Sequence, residues 1–204
     1  MDLRFADRMN NAQKSFIREI LKVVGNPEII SFAGGLPNPI SFPVQKIREA
    51  TDKILEEDGE NILQYSTTEG YLPLREYISE RYLKNSGVVV PPDEILITNG
   101  SQQGLDLIGK VFLNKGDCML MEEPGYLGAI QAFSMFEPEF KTVLMTHDGV
   151  DTEKLKESIE KYNPKLFYAV PNFHNPSGIT YSEENRKKIA GFMKDSDTIL
   201  IEDD

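Results

Sequence analysis

Residues 166–178, LFYAVPNFHNPSG, give the clearest indication of the fold, because a short apolar run passes directly into a polar turn. Such a run suits a buried strand and is too short for an ordinary helix. Three more strand-like runs lead into Gly100-Ser101, Glu123-Pro124 and Glu202–Asp204. Strands that alternate with helical patterns predict an α/β fold, in which a mostly parallel sheet carries helices on both faces.

The hydrophobic periodicity places the remaining elements around these turns. Residues 25–42 are rich in Gly, Pro and Asn, and they predict an ordered arm without a helix or strand. Ser182 has the position of a helix N-cap. We expect strands at 94–98, 118–121, 140–145, 166–170 and 198–201. We expect helices at 12–24, 44–55 and 74–82, and further helices through Leu105 and Phe112, Ile130 and Phe133, Leu155 and Tyr162, and Ile189 and Met193.

Composition excludes several classes of function. The net charge of -11 and the lack of a basic run argue against a nucleic-acid partner. No apolar stretch is long enough to span a bilayer, so no membrane partner is expected. The single cysteine, Cys118, excludes an internal disulfide and a thiolate zinc site, and it predicts a cytoplasmic protein. Its apolar surroundings predict a buried hydrophobic residue rather than a nucleophile.

Gly100, Ser101 and Gln102 join a strand to the start of a helix, where unpaired N–H groups and the helix dipole favour an anion. Gly100 would allow close approach and Ser101 could add a hydroxyl donor. The alternative is that Ser101 is an ordinary N-cap, which is the favoured explanation when the segment is considered alone. The segment is not a P-loop, since no Gly-Lys-Ser/Thr follows.

Two further side chains could contact a flat ligand. Tyr126 follows a strand end and could stack on a ring, although ordinary packing is the favoured explanation when the residue is considered alone. The amide of Asn175 could donate to a phenolate oxygen, although an Asx-turn is the common use of such a residue. Glu123-Pro124 and Asn175-Pro176 are both candidates for cis peptide bonds.

Glu202, Asp203 and Asp204 form an acidic strand end. A carboxylate beside a ring nitrogen would keep that nitrogen protonated, and a protonated pyridine is a better electron sink. The alternative is a solvated acidic turn. His147 and His174 are too isolated to support a metal site, so none is expected. His174 could do no more than line a pocket near Asn175.

Taken together, these motifs resemble the N-terminal half of a class I/II aminotransferase, a fold-type I pyridoxal-phosphate enzyme. Within that family the chain is most similar to the kynurenine/2-aminoadipate aminotransferases, and the resemblance covers nearly all 204 residues. The motifs that carry it are SFIR at 15–18, SFAGGLPNP at 31–39, QYS at 64–66, GSQQGLD at 100–106, EPGY at 123–126, NPSG at 175–178 and EDD at 202–204.

The resemblance implies a truncated large domain of a pyridoxal-phosphate-dependent transferase, with an arm at 1–42 and the N-terminal part of the cofactor domain at 43–204. It also implies pyridoxal 5'-phosphate as cofactor, an amino acid and a 2-oxo acid as substrates, and a homodimer. Cofactor-binding roles fall on Ser101 and Gln102 (phosphate), Tyr126 (stacking), Asn175 (ring oxygen), Asp203 (ring nitrogen) and Tyr65 (phosphate of the partner subunit). Arg18, Gly35 and Leu36 would line the substrate entrance.

The chain departs from the family in lacking the Ser-x-Ser-Lys segment whose lysine forms the Schiff base. We expect that catalytic lysine beyond residue 204, and we expect Lys110, Lys115 and Lys165 to be surface charges. Catalysis needs such a lysine as nucleophile and proton carrier. The sequence therefore predicts a fragment that does not transaminate alone. The resemblance also implies an exposed apolar edge at 198–201, completed by a second polypeptide or by a longer chain.

Two alternatives to an aminotransferase remain open. The first is an aminotransferase-like effector domain of a transcription regulator, which would require a winged helix upstream. The direct start of the chain in the arm disfavours it. The second is a catalytically inactive fragment or a β-eliminating lyase of the same fold. The choice between lyase and transferase depends on residues outside the motifs above.

Overall fold

The computed structural model describes residues 4–11 and 37–204. The described residues fall into two compact units, one formed by residues 37–97 and the other by residues 4–11 and 98–204. The predicted helix at 12–24 and most of the predicted arm lie outside the described residues. The described end of that arm contains a short 3-10 turn at Pro39–Ser41, where no element was expected.

The helices from residue 44 onward and the strands from residue 118 onward occur in the predicted order, with one additional short strand. The helices are α1 (Val44–Ile62), α2 (Leu72–Ser86), α3 (Ser101–Phe112), α4 (Leu127–Ser134), α5 (Thr152–Tyr162) and α6 (Glu183–Lys194). The strands are β1 (Cys118–Glu123), β2 (Glu139–Thr146), β3 (Gly149–Val150), β4 (Leu166–Ala169) and β5 (Ile199–Glu202). No helix of the described residues is both long and apolar enough to cross a membrane.

The first unit contains α1 and α2, both predicted from helical spacing. Helix α2 has proline in its first turn and ends at Gly87, whose φ of 68° is the left-handed conformation that glycine adopts readily. Arg75 of α2 is buried, and its guanidinium donates to the carbonyls of Gly70 (3.2 Å) and Pro92 (3.0 Å). These bonds tie the helix to the loops on either side of it.

The strand predicted at 94–98 is wrong. A 3-10 turn occupies Pro92–Glu94, and the backbone after it is extended at Ile95 without forming a ladder. Among the described residues, its backbone makes one hydrogen bond to another segment, from Ile97 N to the Glu69 carbonyl at 3.0 Å. A strand needs a paired neighbour, and the described residues of this unit supply none.

The second unit is built on a five-stranded sheet in the order β3-β2-β1-β4-β5. Strands β2, β1, β4 and β5 run parallel, and only β3 is antiparallel to its neighbour. The prediction of a mostly parallel sheet is confirmed. The two-residue β3 was not predicted, because such a short segment has no measurable periodicity.

Both faces of the sheet are covered by apolar side chains, as expected for parallel strands. On β4, Leu166 and Tyr168 face one cluster, whereas Phe167 and Ala169 face the other. The first cluster contains residues of α3 and α4, and the second contains residues of α5 and α6. Strands β1 and β4 are therefore packed on both faces, and this packing fixes the polar residues that follow their carboxyl ends.

The strands at the margins are less protected. Strand β5 pairs with β4 on one side, and Ile199 remains 41% exposed. Cys118, at the start of β1, is only partly buried, so the prediction that this residue is buried is wrong. Desolvation raises the pKa of this thiol, which disfavours the thiolate and agrees with a non-nucleophilic cysteine.

Candidate functional site

The carboxyl ends of β1, β4 and β5 meet at one edge of the sheet because the three strands are parallel and adjacent. Polar bonds connect them there. Asp203 N donates to the Ala169 carbonyl at 3.0 Å, and Val170 N donates to the Glu122 carboxylate at 3.1 Å. In open α/β sheets this edge is the usual position of a ligand site. Tyr126, Asn175 and Asp203 all follow these strand ends.

Ser101 and Gln102 form the first turn of α3. Gly100, with φ of 86°, is the N-cap and supplies no side-chain bond, so Ser101 is not the N-cap. The first N–H groups of a helix have no partner within it and favour an anion. A Cβ at Gly100 would meet no atom within 4 Å. The Gln102 amide donates to the Gly128 carbonyl at 3.2 Å and so ties this turn to α4.

Tyr126 is the N-cap residue of α4 and is partly buried against the first apolar cluster. Its ring lies over Gly128, where a Cβ would come within 2.7 Å of the ring atoms. A glycine is therefore needed for the ring to lie so close to the helix. Packing accounts for part of the position of Tyr126, and the partial exposure of the residue leaves a surface for stacking.

Asn175 lies in an exposed turn that contains a cis Asn175-Pro176 bond, and Glu123-Pro124 is also cis. Both bonds were predicted as candidates. Among the hydrogen bonds of the described residues, none uses the Asn175 side chain, so the Asx-turn alternative is not observed. The turn is instead held by His174. Its backbone N–H donates to the Ile179 carbonyl at 2.8 Å, and its ring Nδ1 lies 2.7 Å from Ser177 Oγ.

Asp203 is half-buried, and its Oδ2 accepts a hydrogen bond of 2.6 Å from the hydroxyl of Tyr168. Tyr168 is fully buried. Burial, together with the neighbouring Asp203 carboxylate, raises the pKa of the Tyr168 phenol, which therefore stays protonated as a donor. The next carboxylate, Asp204, is exposed and accepts from the Asn172 amide at 2.6 Å. The two aspartates thus have separate partners.

Glu122 is a fully buried carboxylate that lies beside His174 of this turn. Glu122 is 1% exposed and accepts hydrogen bonds from Tyr181 Oη and Val170 N. His174 Nε2 lies 3.1 Å from Glu122 Oε2, and both side chains are inaccessible. His174 is therefore a buried residue of the turn, which corrects the expectation that it lines a pocket. Burial raises the pKa of Glu122, and its hydrogen-bond donors only partly offset that effect.

Glu122 is expected to make folding stability depend on pH. Because its folded pKa is raised, its stabilising contribution is complete below the ordinary value of 4.5 and is lost as pH rises through the folded pKa. Glu122→Gln keeps the position neutral. The variant's free energy of unfolding, relative to the unmodified chain, should therefore increase with pH across this window. Urea unfolding at a series of pH values measures it.

Glu139→Gln is the matched control, because it removes an exposed carboxylate from the adjacent strand β2. It should show a smaller change over the same pH range. A relative stability of Glu122→Gln that stays constant or decreases as pH rises would contradict the assignment.

Arg186 of α6 connects the turn to the strand ends. Its guanidinium donates to Asn172 Oδ1 (2.6 Å), the Pro171 carbonyl (2.9 Å) and the Tyr181 carbonyl (3.2 Å). Arg186, Tyr168 and Glu122 were not predicted as site residues. The sequence offers only the unusual Glu122 at the end of an apolar strand as a signal, because the other two follow common helix and strand patterns.

The contacts described at this edge do not test the remaining predicted residues. Tyr65 belongs to the other compact unit and is 100% exposed. Arg18, Gly35 and Leu36 lie outside the described residues. The three lysines expected at the surface are ion-paired there: Lys110 with Asp106, Lys115 with Glu137 and Lys165 with Asp117. Within the described residues, no group of side chains could hold a metal ion.

The comparisons with known proteins agree on one family. The model of the family described as "Aminotransferase class I and II" matches residues 30–204. The chain is 44% identical over 200 residues to the 2-aminoadipate transaminase of Thermus thermophilus, covering 98% of this chain and 49% of that protein. It superposes with a TM-score of 0.90 and 41% identity on Pyrococcus horikoshii kynurenine aminotransferase, whose crystal structure is a complex with PMP. That superposition covers 98% of this chain and 50% of the other.

The chain is also similar, at lower sequence identity, to a transcriptional regulator. The HTH-type transcriptional regulator YisV of Bacillus subtilis is 30% identical over 196 residues, which are 96% of this chain and 40% of that protein. The chain spans about half the length of the curated relatives described here, or less.

Proposed function

Because the chain belongs to the class I and II aminotransferase family, we propose that it supplies most of the pyridoxal 5'-phosphate site of an aminotransferase. The reaction moves an amino group between an α-amino acid and a 2-oxo acid. The observation that carries the proposal is Asp203, a half-buried carboxylate held by Tyr168 beside the carboxyl end of β5. A fixed carboxylate at this edge suits a protonated ring nitrogen.

The other side chains of the site fit the same cofactor. Ser101 and Gln102 begin a helix whose free N–H groups suit a phosphate, and the space beside Gly100 is open. Tyr126 offers a ring for stacking. The exposed amide of Asn175 has no partner among the described hydrogen bonds and could donate to a ring oxygen.

Each residue has a defined part in the proposed reaction. When bound, pyridoxal phosphate supplies an electron sink for the substrate's α-carbon. Asp203 holds a proton on the ring nitrogen by charge pairing, and Asn175 orients the ring through its oxygen. Ser101 and Gln102 would hold the phosphate group at the start of α3. Tyr126 covers one face of the ring and limits access of water.

Further parts of the proposal rest on the family resemblance. Tyr65 would contact the phosphate bound by a partner subunit, so the working form would be a homodimer. Arg18, Gly35 and Leu36 would line the substrate entrance. The proposed location is cytoplasmic, in line with the single cysteine. Amino acids with acidic or aromatic side chains are the first substrates to test, because the relatives are named for such compounds.

A chimera tests the proposed function directly. Residues 1–204 would replace the aligned N-terminal half of the Thermus thermophilus relative, which retains the C-terminal half where the resemblance expects the lysine. We expect the chimera to transfer an amino group from 2-aminoadipate to 2-oxoglutarate. A chimera that folds and binds the cofactor without transferring an amino group to any 2-oxo acid would contradict the proposal.

A further inference from the structure

The contacts around Asp203 extend the proposed site to a residue that does not touch the cofactor. Asp203 is fixed at two points by neighbouring residues of β4. Its backbone N–H donates to the Ala169 carbonyl at 3.0 Å. Its Oδ2 accepts a hydrogen bond from the Tyr168 hydroxyl at 2.6 Å. The parallel pairing of β4 with β5 sets this register, with Tyr168 opposite Ile201 and Ala169 opposite Glu202. The carboxylate is therefore held in one orientation by rigid strands.

Tyr168 is itself immobilised. Its side chain is 0% exposed, and its ring meets the edge of Phe133 at a centroid distance of 6.2 Å and an interplanar angle of 65°. A tyrosine in a purely apolar role would bury its hydroxyl without a partner, which is unfavourable. Here the hydroxyl donates its single hydrogen to one carboxylate oxygen, Asp203 Oδ2. In the described residues, the other oxygen, Oδ1, accepts no side-chain or backbone bond and remains available.

We propose that Tyr168 is a positioning residue that holds the Asp203 carboxylate oriented toward the ring nitrogen of the bound cofactor. The inference rests on the proposed function. The hydrogen bond from the Tyr168 hydroxyl prevents the half-buried Asp203 side chain from turning toward solvent, so that its second oxygen stays directed at the site. Loss of the hydroxyl should weaken the pairing with the ring nitrogen and leave the phosphate and stacking contacts unchanged.

The test compares two ligands with the full chain. Pyridoxal phosphate has the ring nitrogen, whereas its 1-deaza analogue has a C–H group in its place. Tyr168→Phe should lower the affinity for pyridoxal phosphate about tenfold and the affinity for the analogue less than about twofold. Binding is followed by fluorescence, and circular dichroism confirms folding. In an Asp203→Asn background, Tyr168→Phe should no longer change the ratio of the two affinities.

Tyr181→Phe is the matched control. It also removes a buried hydroxyl bonded to a carboxylate, but that carboxylate is Glu122. It should leave the ratio unchanged. If Tyr168→Phe does not fold, 3-fluorotyrosine placed at position 168 keeps the shape and alters the donor, and a changed ratio is again expected.

The possible outcomes distinguish a failure of the role inferred for Tyr168 from a failure of the proposed cofactor site. Equal losses of affinity for both ligands, or an unchanged ratio with fluorotyrosine, would show a purely structural role and overturn the inference alone. If the unmodified chain binds neither ligand, the proposed cofactor site is overturned, and the inference with it.

Discussion

Asp203→Asn is expected to reduce amino-group transfer by the chimera on the order of 10²–10³-fold, the loss typical of removing one preorganised electrostatic contact. Asparagine has nearly the same shape but no charge, so it cannot hold a proton on a ring nitrogen. It can still accept from Tyr168, and the local structure around β5 should therefore persist. Steady-state kinetics should show the loss mainly in kcat, because the other cofactor contacts remain.

The adjacent carboxylate provides the control for this prediction. Asp204→Asn removes the same charge one residue later, at an exposed position bonded to Asn172. Its effect on kcat should be at least about tenfold smaller than that of Asp203→Asn. Equal losses in the two variants would show that general charge at this edge matters, and the specific role of Asp203 would be contradicted.

Phe133→Ala is expected to lower the free energy of unfolding by about 3–5 kcal/mol. Phe133 lies in α4 and is 0% exposed, packed in the apolar cluster that includes Tyr168. Truncation removes the apolar contacts of a whole ring and leaves a cavity beneath the sheet. Urea unfolding of the two chains at one pH measures the difference. A stability loss of this size is a large part of a typical domain's total.

Phe173→Ala is the control for truncating a phenylalanine, because Phe173 is 83% exposed. It should change stability by no more than about 0.5 kcal/mol. A loss below about 1 kcal/mol for Phe133→Ala would show that α4 does not pack on the sheet as described. It would also weaken the account of Tyr168, since the ring of Phe133 contacts that residue.

The sequence predicts well those parts of the fold that depend on local pattern. The helices at Val44–Ile62 and Leu72–Ser86 have clear spacing, and the second also has a proline in its first turn. The strand expected at 94–98 was wrong because strand formation depends on a partner as well as on composition. The β3 strand was missed because its two residues are too few to show a periodicity, and they form a strand by pairing with β2.

The candidate site divides in the same way. Ser101, Tyr126, Asn175 and Asp203 stand in recognisable motifs, so the sequence could name them. Tyr168 could not be named, because its bond to Asp203 joins residues 35 positions apart and depends on the register of two strands. Such contacts are a property of the folded sheet and leave no local pattern.

Under the proposed function, this chain holds the cofactor through the contacts described and carries no lysine that bonds to it. Borohydride reduction after incubation with pyridoxal phosphate, followed by intact-mass analysis and peptide mapping, tests this most directly. We predict reversible binding at one cofactor per chain, with no site-specific adduct on the 23.1 kDa species. A stoichiometric adduct on one lysine within residues 1–204 would contradict the claim.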